Sequence, residues 1–539
     1  MSKRKKLNTG IMIILILIAA FVLRVVNVGH SLSWDEAWNV NSIMDGATGN
    51  TDPESTFFPN LLRHPPAYTG IGLLYAMVTR TDRFGLATAL EVLSILFSLA
   101  LIFAVFICGR EWFGESAGLA ASFVFALMPA ARVFDTWIKQ ESMTLFFGLL
   151  FLFFFFRKRY LLSGLFLGVS MLTKEIAVFV ILAVGLFILV LRRWREIRGF
   201  IIANMVAFAV CAWWYLFVST TKGMFLEFFL GRHVSAIVWR KPWHFYFARI
   251  PQDLGWGISA LALLGLVFIL RQVRLQRAHQ ENKPSDMEPF SKGEFSYFLL
   301  SWIAAVYIPL SFSFGKPPWM VYSAFPAFAL LSGWGVSGLI EVVKSKRRRT
   351  IVFGLGLGMC ALAFVPSILI SFKPFVKRAD VMHEVNAASK RVAEYINEQN
   401  ISGARVMMRL NDLTPVFAFY LESYKPGSMV LLPLEGRVET DFHKHRIFLL
   451  DNNTGIEKLF EYAKRVRPHY YLSTRNARLG RELSRYVKPK MTGVLLLFDL
   501  RPYEITLKVI EGLGFQGSAY LSVFKGCSRI TRYASFPYS

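Results

Sequence analysis

Residues 141–195 read ESMTLFFGLLFLFFFFRKRYLLSGLFLGVSMLTKEIAVFVILAVGLFILVLRRWR. Three apolar runs, near 142–156, 160–173 and 176–191, are parted by Arg157, Lys158 and Arg159 on one side and by Lys174 and Glu175 on the other. The third run ends on Arg192, Arg193 and Arg195. A bilayer core about 30 Å thick needs roughly 20 apolar residues per helix, so the runs are short. Their connections nevertheless alternate as membrane spans do, because loops on the cytoplasmic side collect Lys and Arg.

Working outward, further candidate spans lie near 10–29, 86–108, 117–134, 199–219, 257–270, 297–313, 317–342 and 351–371. With Lys3, Arg4, Lys5 and Lys6 placing the N-terminus in the cytoplasm, every second connection should be basic. Arg198 adds to the group after the sixth span. Arg271, Arg274 and Arg277 follow the eighth, and Lys344, Lys346 and Arg347 to Arg349 the tenth. Only GREWFGES, at 109–116, is charge-balanced. The expectation is a polytopic α-helical membrane protein with about 11 transmembrane helices in residues 1–371. Its first segment is an uncleaved anchor, since Val26–His30 offers no small-residue cleavage site. Arg24 lies inside that first span, with a stem long enough to snorkel.

Composition agrees. Of 539 residues 54% are hydrophobic, 18% are charged and 50 are Phe. That leaves too little polar surface for a soluble domain. The net charge of +25 would suit a nucleic-acid partner, but much of it sits in the cytoplasmic connections as topology signal, so no nucleic acid is expected. The four Cys supply neither a disulfide framework nor a zinc spacing: Cys108, Cys211 and Cys360 fall in spans and Cys527 stands alone.

Two external regions remain. One is the long first loop, 30–85, in which Ala67–Val78 is apolar but too short to cross and reads as an interfacial helix. The other, 372–539, has soluble composition. Helical stretches (Val381–Gln399, Gly455–Val466, Asn476–Val487) alternate there with apolar runs such as Arg405–Met408, Met429–Leu432 and Val494–Phe498. The alternation predicts a C-terminal extracytoplasmic α/β domain. Asn452-Asn453-Thr454 is a nominal glycosylation sequon.

The outer ends of the predicted spans collect charge. Asp35 and Glu36 lie in SLSWDEAW, and Arg63 and His64 precede Pro65 and Pro66. Asp135, Lys139 and Glu141 stand between the third and fourth spans, and Lys174 and Glu175 between the fifth and sixth. Arg232, His233, Arg240, Lys241 and His244 share the loop at 220–256, and Lys316 sits in SFGKPPW. Cations at headgroup level suit a phosphorylated lipid, and a carboxylate among them suits a general base acting on an acceptor hydroxyl. Each residue also has a plainer reading. Asp35 serves equally as a helix N-cap, and Lys174 as a snorkelling residue. Trp213 and Trp214 read as an interfacial aromatic belt.

The order of motifs carries more. SLSWDEAW, then RHPPAY, FGESAGLAASFVFALMP, LFLGVSMLTKE, CAWWYLF, FLEFFLGRHV, KPWHFYFARIP and FSFGKPPWMVYSAFPAFALL span most of 30–335. This series resembles the GT-C membrane glycosyltransferases, and most of all the branch of protein O-mannosyltransferases and lipid A aminoarabinose transferases. The resemblance implies transfer of a hexosyl or pentosyl unit, with inversion, from a polyprenyl-phosphate carrier at the outer face of the cell (inner) membrane. The acceptor would be a lipid, a polysaccharide or a protein, and membrane lipids would be constant partners. It makes Asp35 the catalytic base, with Glu36 beside it bracing the loop or contacting the acceptor. Candidates to grip the carrier phosphate are His64, Lys174, Arg232, His233, Lys316 and Tyr322. Glu141 matches a second acidic position, for which Asp135 competes. Some relatives place a carboxylate just before the donor-binding residue, where it helps hold a metal; here that position is Arg63, so no cofactor is assigned and a divalent metal stays open. The oligosaccharyltransferase Trp-Trp-Asp-Tyr-Gly signature and the β-trefoil insertion of eukaryotic mannosyltransferases are both missing.

Two other classes compete. A transporter or flippase for lipid-linked sugars would use the same cations as a gate, but it should show repeated halves with interrupted helices, and no internal repeat is visible. A non-catalytic scaffold presenting the 372–539 domain would be indifferent to loss of the Asp35 carboxylate.

Overall fold

The computed structural model describes residues 3–49 apart from 27, 30, 31 and 33, then 64–222, 241–279, and 290–342 apart from 314. It also describes 358, 392, 395, 398 and five strands between 405 and 499. The predicted span at 351–371, the helical stretches of the tail, the sequon, Arg63, Arg232, His233 and Arg240 lie outside the described residues.

The helices are α1 (Lys3–Val25), α2 (Trp34–Ala47), α3 (Pro66–Thr79), α4 (Arg83–Phe113), α5 (Glu115–Leu127), α6 (Pro129–Phe134) and α7 (Glu141–Phe156). There follow α8 (Tyr160–Thr173), α9 (Val178–Val190), α10 (Glu196–Lys222), α11 (Phe245–Leu254), α12 (Trp256–His279), α13 (Lys292–Phe312) and α14 (Phe325–Val342). Short 3-10 turns at Glu175–Ala177 and Pro318–Ala324 lead into α9 and α14. A helix thus stands at each predicted span before 343, and α3 stands on the apolar stretch of the first loop.

Length separates them. Among the described residues five segments are long and apolar enough to cross a membrane, 8–25, 83–113, 196–220, 292–312 and 318–340. A sixth arises if α11 and α12, bent by 111° at a short break, count as one. Among the described residues the long spans are fewer than the expected eleven, because α5, α7, α8 and α9 have only 13, 16, 14 and 13 residues. At 1.5 Å per residue they extend ~20–24 Å, short of a hydrocarbon core.

The chain divides into two compact units. One comprises Met1–His30, Leu62–Gly72 and Ala87–Lys377; the other comprises Ser31–Leu61, Leu73–Leu86 and Arg378–Ser539. Much of the stretch between 30 and 85 thus falls in the same unit as the C-terminal segment.

In the first unit α8 packs on α7 and α10, α14 on α5 and α12, and α9 on α13. Small residues make the closest of these contacts possible. A Cβ on Gly164 would meet the Ala203 carbonyl oxygen at 2.5 Å, and one on Gly168 would meet Val210 Cβ at 2.6 Å. Gly164 and Gly168 therefore form a small-xxx-small seam along α8, opposite Ala203 and Ala207 of α10. Phe fills the wider interfaces: Phe156 lies 4.9 Å from Phe298 and 5.7 Å from Phe187, ring centre to ring centre. On the outside, α1 exposes Ile11, Ile14, Leu15, Ile18, Phe21 and Val22, an apolar stripe suited to lipid. Trp213 is exposed but Trp214 is buried, so the aromatic-belt reading fits only the first.

Polar contacts gather where the basic connections join the helices. Thr9 meets Glu115, Arg157 meets Glu111 at 3.0 Å, Tyr160 donates to Glu196 at 2.9 Å, and Arg193 pairs with Glu294. At the opposite helix ends lies a second, more buried set.

In the second unit five strands form one sheet in the order β2-β3-β1-β4-β5: β1 (Arg405–Arg409), β2 (Met429–Pro433), β3 (His445–Leu450), β4 (Tyr470–Thr474) and β5 (Leu495–Asp499). All neighbours are parallel except β4 and β5. Apolar runs predicted three of these; β3 (HRIFLL) and β4 (YYLST) are further runs of the same kind.

The α8–α10 seam has a direct test. Gly168→Val should lower the thermal midpoint of the detergent-purified protein, as overpacking of about 1–3 kcal/mol does, while Gly185→Ala, whose Cβ would meet Phe200 at an ordinary 3.8 Å, should not lower it. A midpoint unmoved by Gly168→Val would contradict the seam.

Candidate active site

The second polar layer is built around Asp135, the residue that follows α6. Arg24, at the end of α1, donates to its Oδ2 from Nη2 at 2.7 Å and from Nε at 3.0 Å. Ser98 of α4 donates to the same oxygen at 2.6 Å. Ser142 of α7 donates to Oδ1 at 2.8 Å, and the Tyr322 hydroxyl donates to Oδ1 as well. Arg24 Nη1 caps the Ala20 and Ala126 carbonyls, each at 3.2 Å. Arg24, Asp135 and Tyr322 are all fully buried. A lone charge at this depth would be prohibitive; here both charges are matched and hydrogen-bonded. Arg24 therefore does not snorkel: its partner lies 111 residues along the chain.

Beside this hub α7 and α8 are joined by their own ion pair. Lys174, in extended backbone just after α8, donates from Nζ to Glu141 Oε1 at 2.7 Å, and both side chains are buried. The next residue, Glu175, has Oε2 3.8 Å from His64 Nδ1. Burial pushes the Glu175 carboxyl up, but His64 and the charge of Lys174 outweigh it and hold it below the usual carboxylate range. Lys139 is buried with its ammonium 4.6 Å from the Trp137 ring centre and 4.0 Å from that of Trp319, a two-sided cation–π contact. Lys316 donates to the Ser313 carbonyl at the end of α13, and Tyr246 donates to the Pro317 carbonyl at 3.1 Å.

Asp35 and Glu36 belong to the second unit. Both stand in the first turn of α2, where backbone N–H groups favour negative charge. Glu36 is fully buried and Asp35 half-buried. Further along α2, Asp45 and Asn41 each lie 3.2 Å from Arg83.

Of the sequence-predicted residues, the structure joins Glu141 to Lys174 and Asp135 to Tyr322, sets His64 against Glu175, and turns Lys316 toward a helix end. Sequence reasoning missed Ser98, Ser142 and the partnership of Arg24, although a charge inside a span asks for an opposite charge at the same depth. Among the described residues no three His, Cys, Asp or Glu side chains gather as metal ligands.

Removing one member of the buried pair should be severe. Asp135→Leu should cost about 3–5 kcal/mol by stranding Arg24, whereas Arg24→Leu combined with Asp135→Leu should cost less than the two singles summed. Thermal unfolding of the four proteins in one detergent measures the coupling; strict additivity would refute it.

Comparison with known proteins fits this geometry. Residues 64–216 match the family model described as dolichyl-phosphate-mannose-protein mannosyltransferase. No curated protein sequence matches the chain. Among solved structures, ArnT from Cupriavidus metallidurans, determined bound to undecaprenyl phosphate, superposes with a TM-score of 0.59 at 13% identity, covering 90% of this chain and 97% of that one. Archaeal oligosaccharyltransferase AglB from Archaeoglobus fulgidus, determined with an inhibitory peptide and a dolichol-phosphate, does so with a TM-score of 0.54 at 12% identity, covering 88% and 70%. The chain thus has the fold of the GT-C membrane glycosyltransferases, and over residues 64–216 it resembles their mannosyltransferase branch in sequence as well.

Proposed function

We propose that the protein is an inverting glycosyltransferase that moves a sugar from a polyprenyl-phosphate carrier to a lipid, polysaccharide or protein acceptor at the outer membrane face. The observation that carries this reading is the family match over 64–216. That stretch holds Asp135, Glu141 and Lys174 of the buried polar layer, and the half-buried His64 and Glu175 beside them.

In the reaction the acceptor oxygen attacks the anomeric carbon, and the bond from that carbon to the phosphate oxygen breaks with its electron pair leaving on the phosphate. Asp35 takes the acceptor proton as general base, and Glu36 braces the turn or contacts the acceptor. Phosphate is already a fair leaving group, so cations rather than an acid assist its departure. His64, Lys316, Arg232 and His233 take that role, and Lys174 holds the Glu141 carboxylate. Asp135 and Tyr322, saturated by one another and by Arg24, hold the helix ends in place. The N-terminus is cytoplasmic, the short helices complete a bundle of eleven spans with 351–371, and the sheet of 372–539 is the framework of an extracytoplasmic α/β domain.

Purified protein supplied with radiolabelled polyprenyl-phosphate sugars and membrane lipid and protein extracts tests the proposal. Wild type should release sugar from the carrier, and Asp35→Asn should lower the rate by about 100-fold or more while still binding carrier. Carrier binding without transfer for any sugar would favour a transporter, and unchanged transfer in Asp35→Asn would remove the base.

A further inference from the structure

Buried polar atoms without a hydrogen-bond partner are rare, because nothing offsets their loss of water. At the start of α7 two occur on consecutive residues. Glu141 is 2% exposed; its Oε1 is engaged by Lys174 at 2.7 Å, while its Oε2 accepts no hydrogen bond from any described residue. Gln140, also 2% exposed, caps the same helix, and its Nε2 donates no hydrogen bond to any described residue. A third such atom, Oε2 of Glu175, belongs to the residue next to Lys174.

The demands of these atoms are opposite. An amide N–H needs an acceptor, and a carboxylate oxygen needs a donor. A phosphate offers acceptors alone: it would suit Gln140 and Lys174 but meet Glu141 with like charge. A hydroxyl offers a donor and an acceptor together, and a sugar ring carries several on adjacent carbons.

We propose that Gln140 and Glu141 recognise hydroxyl groups of the transferred sugar. Lys174 is then a positioning residue that aims the Glu141 carboxylate, rather than a phosphate ligand. This assignment rests on the glycosyltransferase reading above and adds to it the part of the donor that the buried pair contacts.

The test separates sugar from carrier. Full-length protein in nanodiscs is titrated with undecaprenyl phosphate and, separately, with undecaprenyl phosphate carrying mannose, glucose or galactose. Wild type should bind at least one sugar-bearing carrier more tightly than the bare carrier. Glu141→Gln should reduce that advantage about tenfold and leave bare-carrier affinity within twofold, as expected for loss of a charge-assisted hydrogen bond. Gln140→Leu, which keeps the ion pair and so guards against misfolding, should reduce the advantage in the same direction. Three outcomes overturn the inference with the glycosyltransferase reading intact. They are no sugar advantage in wild type, equal loss for bare and sugar-bearing carrier in the variants, and no change in either variant, as a pair satisfied by water would give. Wild type that binds neither carrier overturns both readings.

Discussion

Everything at the polar end of the helical unit depends on one carboxylate having enough donors. Asp135 is fully buried, and a bare charge there would destabilise the fold by more than most single contacts can restore. Arg24, Ser98, Ser142 and Tyr322 supply the donors, and they come from α1, α4, α7 and the turn before α14. Satisfying one residue therefore ties together four segments that are remote in sequence. The Glu141–Lys174 pair stands on α7 one residue before Ser142, so its placement is inherited from the hub.

That arrangement separates two tasks that charged residues near a membrane are often asked to do at once. Arg24 and Asp135 neutralise each other and hold geometry. Glu141 and Gln140 keep atoms that no described neighbour hydrogen-bonds, which is the condition for meeting a ligand. The two sets are interleaved along the same connections, with Asp135, Gln140, Glu141 and Ser142 lying within eight residues. Charge type alone does not tell them apart; the partners do.

This is also where reading from sequence ran out. The helices before 343 were legible because lipid demands long apolar runs and the basic connections mark their ends. Strands β1, β2 and β5 were legible as short apolar runs between polar stretches. Asp135 and Tyr322 read as site residues because both sit near an outer helix end, yet they bond to each other across 187 positions, a separation no local pattern encodes. Arg24 was visible as an anomaly inside a span, but its partner was not, since several carboxylates lay at the same predicted level. SLSWDEAW was legible as a motif of the family resemblance, and the structure adds that both its carboxylates occupy the first turn of a helix.

The brevity of α7, α8 and α9 reaches beyond the protein. Successive helices of 16, 14 and 13 residues leave this sector ~20–24 Å tall, while α4 and α10, with 31 and 27 residues, are far longer. Lipid beside the short sector must thin or tilt to meet it, at a cost of fractions of a kcal/mol per ångström. Glu141 and Lys174 stand at one end of this short sector, where a thinned bilayer would bring lipid headgroups nearer to them. Acyl-chain length in the surrounding lipid becomes a parameter of the site itself, one that the host cell sets and the polypeptide only samples.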